Sequence, residues 1–334
     1  MATIKDVAKR SGLGLATVSK YINGGNVKEE NKLAIENAIS EVGFEVNEIA
    51  RGLRTKRSRT IGVVIPELNN FFITTILSYI NDILRSKGYS MIVSDCRSNT
   101  EFEKQAINVM LSKQVDGIIN MPVSSSESHL VPAIESKIPI VLMDRLVNGF
   151  MDETNAVLVN NVKASTSATN LLIEAGHRDI GIILGPIDVF TSNTRLKGFK
   201  QALEERNIPF QERLVEYGNY TTQGGYECTI KLIQNQQPTA LFVTNYDMMI
   251  GSVLALNDMG LTIPKDISFV GFDNWELATV IKPKLTVVAQ PLEEIAHTAA
   301  EILLNALDTG DMGTTIKTLT THIQLGESVA KHKN

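Results

Sequence analysis

Residues 61–334 alternate short apolar runs with amphipathic segments of helical period, and this alternation restricts the fold more than any other feature. Apolar runs that predict strands occur at residues 61–65, 89–94, 117–120, 139–143, 156–159, 180–184, 241–244 and 268–272. Helical patterns lie between them, such as the one from Phe72 to Leu84 that Gly88 ends. Strands that alternate with helices form parallel sheets with helices on both faces. These units fit either two doubly wound subdomains or a (β/α)8 barrel.

Charge divides the chain near residue 60. Residues 1–60 hold 11 Lys and Arg against 7 Asp and Glu, a net charge of +4, whereas the rest hold 21 against 30, a net charge of −9. Five of the nine residues from Arg51 to Arg59 are basic. A basic end on an acidic protein predicts a nucleic-acid partner that is bound by the small end alone.

Composition argues against several classes of protein. With 43% hydrophobic and 21% charged residues, the chain can form buried cores and is not disordered. The sequence shows no secretory leader and no apolar stretch long enough to span a membrane, so we expect a cytoplasmic protein. Cys96 and Cys228 lie far apart, outside metal-ligand spacing, and are predicted to be buried thiols. The histidines show no nucleophile or metal spacing, and His177 is predicted to lie at a helix terminus. We therefore expect no cofactor, no metal and no enzymatic activity.

The first sixty residues predict three short helices. Thr3 can cap a helix from Ile4 to Ser11, and Gly12-Leu13-Gly14 breaks it before a second helix from Leu15 to Asn23. A third helix is predicted from Glu29 to Val42. The apolar faces are predicted to consist of Ile4, Val7 and Ala8, then Val18 and Ile22, then Leu33, Ala34, Ala38 and Ile39. This spacing fits a helix-turn-helix, although a generic three-helix bundle has the same pattern.

The residues themselves favour the first alternative. T-I-K-D-V-A-x-x-S-G from Thr3 and T-V-S-K-Y-I-N-G from Thr17 resemble the opening of the LacI/GalR family of bacterial transcription regulators. The likeness continues in G-F-x-x-N from Gly43 and A-R-G-L-R from Ala50, and at lower density over nearly the whole chain. The resemblance implies a DNA-binding domain in residues 1–46. Its implied major-groove residues are Leu15, Ala16 and Lys20, and its implied phosphate contacts are Thr3, Thr17, Ser19 and Asn23.

Residues 47–60 are predicted to form a hinge. Ile49, Ala50 and Leu53 lie on one narrow face of a helix that is short and contains Gly52, so it should be unstable alone in water. From these residues alone, a solvated basic linker is an open alternative. The resemblance implies instead that the hinge helices of two subunits fold together in the minor groove, with Leu53 between base steps. Its implied DNA contacts are Asn47, Ala50, Leu53 and Arg54.

For residues 61–334 the resemblance implies a type I periplasmic-binding-protein-like body of two doubly wound α/β subdomains. The N-subdomain would comprise about 61–160 and 291–318, and the C-subdomain about 161–290 and 319–330. Three crossovers would join them, near Asn160-Asn161, Ala289-Gln290 and Leu319 to His322.

Polar residues follow several of the predicted strands, and parallel sheets bind ligands at the carboxyl ends of their strands. Singly, each such Asp or Asn can also be a helix cap or turn former. The resemblance implies an effector cleft formed by Phe72, Asp95, Arg145, Arg195, Tyr220, Asn245, Asp273 and Gln290. Carboxylates, arginines and an aromatic face suit a polyol, and two arginines leave room for a sugar acid or phosphate. Phe71 is left open as either core or cleft.

We therefore expect a sequence-specific transcription regulator, a repressor, that binds a dyad-symmetric double-stranded operator as a homodimer. A small sugar or sugar acid between the two subdomains would control its operator affinity. The alternatives are a sugar-binding transport receptor and a sugar-processing enzyme with the same body. A receptor should carry a secretory signal and no basic head.

The hinge prediction has a direct test. Replacing Leu53 by alanine should weaken binding to a cognate operator by roughly 1 to 3 kcal/mol, because one apolar wedge between base steps is lost. A gel shift with wild type and L53A measures the difference. Equal affinities would contradict insertion of Leu53 into the minor groove.

Overall fold

The computed structural model describes residues 2–45, 57–126, 130–149, 154–273, 275–310 and 312–332. Contacts divide the chain into two compact units, Met1–Ser58 and Arg59–Asn334, called here the head and the body. No helix within the described residues combines the length and apolar character that crossing a membrane requires.

The head contains three helices, α1 (Ile4–Ser11), α2 (Leu15–Ile22) and α3 (Glu29–Val42). The predicted third helix has these bounds, and the second ends one residue before its predicted end. The turn between α1 and α2 is possible because Gly12, with φ of 69°, adopts the left-handed conformation that glycine favours.

The core of the head consists of Val7, Val18, Ile35 and Ala38, which are all buried. The prediction that Leu33 belongs to this core is wrong, because its side chain is 61% exposed. Successive residues of a helix are turned by about 100°, so Leu33 and Ile35 lie on opposite sides of α3 and only one of them can face α1 and α2.

The body alternates strands and helices as the sequence pattern predicted. Its strands are β1 Thr60–Ile65, β2 Ser90–Asp95, β3 Gly117–Asn120, β4 Ile140–Met143, β5 Asn155–Val159, β6 Ile180–Leu184, β7 Val215–Tyr217, β8 Ala240–Val243, β9 Ser268–Phe272, β10 Thr286–Ala289, β11 Ile316–Leu319 and β12 His322–Gln324. Its helices are α4 Phe71–Ser86, α5 Thr100–Ser112, α6 Val131–Glu135, α7 Asn161–Glu174, α8 Phe190–Glu205, α9 Thr222–Gln236, α10 Tyr246–Asp258, α11 Trp275–Val280 and α12 Leu292–Thr309.

These strands form two sheets, which excludes the barrel alternative. The first sheet has the order β11-β5-β4-β3-β1-β2 and the second has the order β12-β10-β9-β8-β6-β7. All pairs are parallel except β10 with β12. The chain passes between the sheets after β5, after β10 and after β11, and α12 returns to pack on the first sheet through residues such as Ile295 and Leu303. Each sheet is covered by apolar clusters on both faces.

Strand β7 was not predicted from the sequence because its three residues, Val215–Tyr217, are only partly buried at a sheet edge and give no apolar run. The two cysteines are buried, as predicted.

His177 lies beyond the end of α7, but it does more than end a helix. Its ring is buried and lies within hydrogen-bond distance of Thr239 Oγ1 (2.9 Å) and Ser268 Oγ (2.8 Å). It also stacks on the ring of His332, with 5.1 Å between the ring centroids. His177 therefore anchors the C-terminal segment to the second sheet.

Candidate functional site

The head presents one face of α2 to solvent. Leu15, Ala16 and Lys20 are all exposed there, and the exposed fraction of Leu15 is 44%. Leu15 is the first residue of the helix, where side chains of a recognition helix reach base edges. Gly14 precedes it as the N-cap and offers no side chain to the free N–H groups.

Three of the four predicted phosphate contacts already make local side-chain hydrogen bonds, namely Thr3, Ser19 and Asn23. The Thr3 backbone N–H and hydroxyl donate to Asp6 Oδ2, at 2.8 and 2.7 Å. The Asn23 amide donates to the backbone oxygen and the hydroxyl of Ser19 at the end of α2. Thr17 and Ser19 are half-buried. The predicted hinge contacts Asn47, Ala50, Leu53 and Arg54 lie outside the described residues.

A cavity of about 240 Å³ lies in the body where the carboxyl ends of the two sets of strands face each other. Seven of the eight predicted effector residues line it: Phe72, Arg145, Arg195, Tyr220, Asn245, Asp273 and Gln290. The structure does not bring Asp95 to this cavity. Asp95 is exposed and its Oδ1 accepts a hydrogen bond from the backbone N–H of Arg97 (2.8 Å), so it forms a local turn instead.

Arg195 is the most constrained side chain of the cavity. It is buried, its Nε donates to Asn161 Oδ1 (2.8 Å), and its Nη1 donates to the backbone oxygen of Thr244 (2.6 Å). Its guanidinium carbon lies 3.8 Å from the centroid of the Phe272 ring, within cation–π distance. These contacts use two of the five N–H donors of the guanidinium, and Arg195 lines the cavity.

Close packing of two helices makes this placement possible. A Cβ atom on Gly198 of α8 would lie 2.2 Å from the backbone oxygen of Val162 in α7. Glycine therefore allows α8 to approach α7 closely enough for Arg195 to reach Asn161 at the start of α7.

Asp273 and Gln290 form a second buried pair. Gln290 Nε2 donates to Asp273 Oδ1 at 2.6 Å, whereas Gln290 Oε1 is buried with no hydrogen-bond partner among the described residues. Burial raises the pKa of Asp273 to about 6, and the charge of Arg195 acts in the opposite direction.

Arg145 reaches the cavity from the first sheet. Its Nη1 donates to the backbone oxygen of Pro122 (2.9 Å), and its Nε lies 3.4 Å from Asp144 Oδ2. The guanidinium carbon lies 5.6 Å from the centroid of the Tyr220 ring, which belongs to the other subdomain. The Tyr220 hydroxyl is within hydrogen-bond distance of Thr191 and Ser192.

Asp144 and Asp273 occupy matching places in the two sheets. Each follows the strand third from the same end of its sheet, and each has φ of 66°. The backbone N–H of each donates to the neighbouring strand, to Val157 and Val288 respectively. Left-handed backbone at a non-glycine residue is uncommon and concentrates at binding sites.

A pair of residues that the sequence did not predict spans the cavity. Asn70 caps α4, and its Nδ2 donates to Asp247 Oδ2 at 2.8 Å, from one subdomain to the other. Both residues line the cavity. Each residue could have been suspected from its position, because Asn70 closely follows β1 and Asp247 follows β8. The hydrogen bond between them could not have been predicted, because the two residues are 177 positions apart in the sequence.

The structure also separates Phe71 from Phe72. Phe72 is buried in the core of the first subdomain and lines the cavity. The half-buried ring of Phe71 lies 5.8 Å from the ring of Tyr246 in the second subdomain. Phe71 therefore makes a contact between the subdomains and is not simply core.

Carboxylates outnumber cations in the cavity lining. Glu67, Asp144, Asp247 and Asp273 face two arginines, Arg145 and Arg195. Burial raises the pKa of Asp247 as it does that of Asp273. The lining thus offers many acceptors, two guanidinium groups that already have partners, and no surplus of positive charge. Among the described residues, no group of three or more His, Cys, Asp or Glu side chains could hold a metal ion.

Comparison with known proteins gives matches over both units. The profile described as "Bacterial regulatory proteins, lacI family" matches residues 3–47, and that described as "Periplasmic binding protein-like domain" matches residues 169–329. Catabolite control protein A of Priestia megaterium is 33% identical over 329 residues, which cover 98% of each chain.

Solved structures with bound sugars are also similar. The transcriptional regulator CelR in complex with cellobiose has 26% identity and a TM-score of 0.75, covering 98% of this chain and 100% of that one. A LacI family transcriptional regulator from Enterococcus faecium with bound ribose has 27% identity and a TM-score of 0.73, covering 82% and 100%.

The raised pKa of Asp273 predicts a pH-dependent cost of burying its charge. Because the pKa rises from 3.8 to about 6 on folding, this residue contributes stability below pH 4 that is lost as the pH rises through 6. An asparagine side chain does not titrate. The free energy of unfolding of D273N minus that of wild type should therefore increase by roughly 1–2 kcal/mol when the pH is raised from 5 to 8.

Urea denaturation at pH 5 and pH 8 measures this difference. D266N is the matched control, because Asp266 is exposed, whereas Asp273 is buried, and its carboxylate accepts one hydrogen bond, from the backbone N–H of Thr262. A difference between D273N and wild type that is the same at both pH values would show that Asp273 does not titrate in this range.

Proposed function

Because the chain belongs to the lacI family of bacterial regulatory proteins, we propose that the cavity lined by Arg145, Arg195 and Asp273 is its effector site and that the effector is a neutral monosaccharide. The chain is a DNA-binding transcriptional repressor that binds operator DNA as a dimer and responds to a small sugar. The single observation that carries the proposal is the lining of the cavity, where carboxylates outnumber arginines.

Size supports a single sugar ring. A volume of about 240 Å³ equals the volume that about eight molecules occupy in liquid water. A cavity of that volume can hold one pyranose or furanose ring, and it shares Asp273 and Gln290 with a neighbouring cavity of about 590 Å³. The similar regulator with bound ribose holds a ligand of this size, whereas the similar CelR complex holds a disaccharide.

Charge supports a neutral ligand. The hydroxyl groups of a sugar can donate to Asp144, Asp247 and Asp273. The free donor groups of the two arginines can then bind hydroxyl or ring oxygens, and the Phe72 ring can cover the C–H face. A phosphate or a carboxylate would instead face four acidic side chains with two arginines that already have partners.

We also propose the operator contacts. Leu15, Ala16 and Lys20 enter the major groove from the exposed face of α2, and Thr3, Thr17, Ser19 and Asn23 contact phosphates. Asn47, Ala50, Leu53 and Arg54 make the minor-groove contacts of the hinge. The functional domains are then residues 1–46, 47–60 and 61–334, at work in the cytoplasm where operator DNA lies.

Coupling between effector and operator would use the contacts that span the cavity. The Asn70–Asp247 hydrogen bond and the Phe71–Tyr246 and Arg145–Tyr220 contacts join the two subdomains around the proposed site. A sugar that binds among them changes the relative free energy of open and closed arrangements, and such coupling is typically about 1–3 kcal/mol.

Catalysis is not part of the proposed function. The similar solved structures are those of transcription regulators. Recovery of the sugar unchanged after prolonged incubation with the protein supports binding without turnover. Formation of a product would favour the alternative of a sugar-processing enzyme.

A thermal-shift panel tests the effector class. The panel contains ribose, glucose, galactose, their phosphate esters and the disaccharide cellobiose. A ligand present at about 100 times its dissociation constant adds about 2.7 kcal/mol to the free energy of unfolding. We expect a neutral monosaccharide to give such a shift and its phosphate ester to give little, whereas a larger shift with the phosphate ester would overturn the charge argument.

Replacement of Arg195 tests whether the sugar binds in this cavity. R195A should abolish the shift with the monosaccharide that raises the melting temperature of the wild type. R206A is the matched control. Arg206 lies at the C-terminal end of the same helix, but it is exposed and forms an ion pair with Glu174. A full shift with R195A, in protein that still unfolds cooperatively, would show that the sugar binds elsewhere.

A further inference from the structure

A buried carboxyl group lies beneath the proposed effector site without lining it. Glu103, on α5, is 0% exposed, and so is Asn120 at the end of β3. Fully buried glutamates are rare unless they are paired. The proposed function assigns no role to this one.

Glu103 holds the segment that follows β3. Its Oε1 accepts a hydrogen bond from Asn120 Nδ2 (2.9 Å), and its Oε2 accepts one from the backbone N–H of Val123 (3.2 Å). Between these two residues lie Met121, which lines the cavity, and Pro122. The carboxyl group therefore fixes both ends of a short segment at the floor of the site.

One peptide group connects Glu103 to Arg145. The N–H that donates to Glu103 belongs to the peptide between Pro122 and Val123, and the carbonyl of that same peptide accepts from Arg145 Nη1 at 2.9 Å. In a trans peptide the N–H and the C=O point in opposite directions. The carboxyl, the peptide and the guanidinium thus lie in a row, with the peptide dipole oriented favourably toward both charges.

Arg145 needs this support. Its Nε is buried with no hydrogen-bond partner among the described residues, and its contact with Asp144 is a 3.4 Å ion pair. The hydrogen bond to the backbone oxygen of Pro122 fixes the orientation of the Arg145 guanidinium group. A shift of the 122–123 peptide would therefore move the guanidinium that faces the cavity.

We propose that Glu103 is a positioning residue of the effector site, which sets the orientation of Arg145 through the peptide between Pro122 and Val123. The proposal rests on the proposed function insofar as Arg145 contacts the sugar. Its structural part, the coupling of Glu103 to Arg145, holds independently of any ligand.

The ionised form of Glu103 is the one that suits this role. A carboxylate can accept both hydrogen bonds, whereas a protonated carboxyl accepts them more weakly and carries a donor that neither N–H can receive. Burial raises the pKa of Glu103 to about 7, against the effect of the two hydrogen bonds and of the charge on Arg145. Arg145 should then be held less firmly as the pH falls from about 8 to about 6.

Other ionisable groups surround α5. Asp95 and Cys96 lie at the end of β2, Glu135 lies on α6, and Asp144 precedes Arg145 after β4. Burial raises the pKa of the Cys96 thiol, and the charge of Glu103 adds to that shift. Asp273, with a pKa of about 6, is a separate source of pH dependence in the cavity itself. A comparison of wild type with E103Q removes these shared contributions.

The ligand-free test uses nuclear magnetic resonance of the full-length dimer labelled with 15N-arginine. The Nε–Hε resonance of Arg145, assigned from its loss in R145K, should shift with a midpoint near pH 7 in wild type. The shift should be absent in E103Q. E101Q is the matched control, because Glu101 is exposed on the same helix, and it should behave as wild type.

Ribose binding, measured by calorimetry at pH 6 and pH 8, tests the functional part. Wild type should lose about fivefold more affinity than E103Q on going to pH 6, since hydrogen bonds to a charged acceptor are about twice as strong as neutral ones. The glutamine of E103Q can accept only one of the two hydrogen bonds, because its NH2 group faces the other N–H donor, so the free energy of unfolding of E103Q is measured at pH 8 beside that of wild type. Weaker ribose binding without lower stability separates positioning from a purely structural role.

The outcomes are distinguishable. An Arg145 resonance that titrates in E103Q as it does in wild type would overturn the proposal, with or without a ligand. So would ribose binding that is weakened by R145K but unchanged in E103Q at both pH values. Ribose binding that R145K leaves intact would instead contradict the assignment of Arg145 to the effector site, and the resonance would still decide the coupling of Glu103 to Arg145.

Discussion

Arg195 is a permanent charge buried in the body, and the architecture of the cleft follows from the need to stabilise it. Its partners are Asn161 at the start of α7, the backbone oxygen of Thr244 after β8 and the ring of Phe272 at the end of β9. One side chain thus ties α8 to the chain after β5, β8 and β9. A buried charge that lost these partners would cost several kcal/mol. The strand ends that line the proposed effector site are therefore held in register by a residue of the cavity itself.

The contacts that join the two subdomains across the site are of a different kind. Among the described residues they include one neutral-to-charged hydrogen bond, one tilted pair of rings and one cation–π contact at 5.6 Å. None of these buries a charge as deeply as Arg195 is buried. A rigid framework within each subdomain and modest contacts between them suit a body that a ligand can bias between two arrangements.

Much of this architecture is encoded locally in the sequence, and the remainder is not. Strong alternation of strands and helices predicted the parallel sheets, and polar residues after strand ends predicted part of the cavity lining, namely Arg145, Asn245 and Asp273. The other predicted lining residues, Phe72, Arg195, Tyr220 and Gln290, were implied by the family resemblance. Leu33 was wrongly placed in the core of the head. A second face of α3 also carries apolar residues at helical spacing, but Ile35 is the residue that is buried. Asp95 was placed in the cleft by resemblance, but its carboxylate turns back to its own loop. The Asn70–Asp247 and Glu103–Val123 bonds depend on tertiary packing that no local pattern encodes.

We propose that occupancy of the cavity controls operator binding. Fluorescence anisotropy of a labelled cognate operator, titrated with the dimer at fixed salt concentration, tests it with and without a saturating neutral monosaccharide from the panel. We expect the sugar to change operator affinity by about fivefold or more, in either direction, in wild type and not in R195A. A sugar that binds the wild-type cavity tightly and leaves operator affinity unchanged would contradict it.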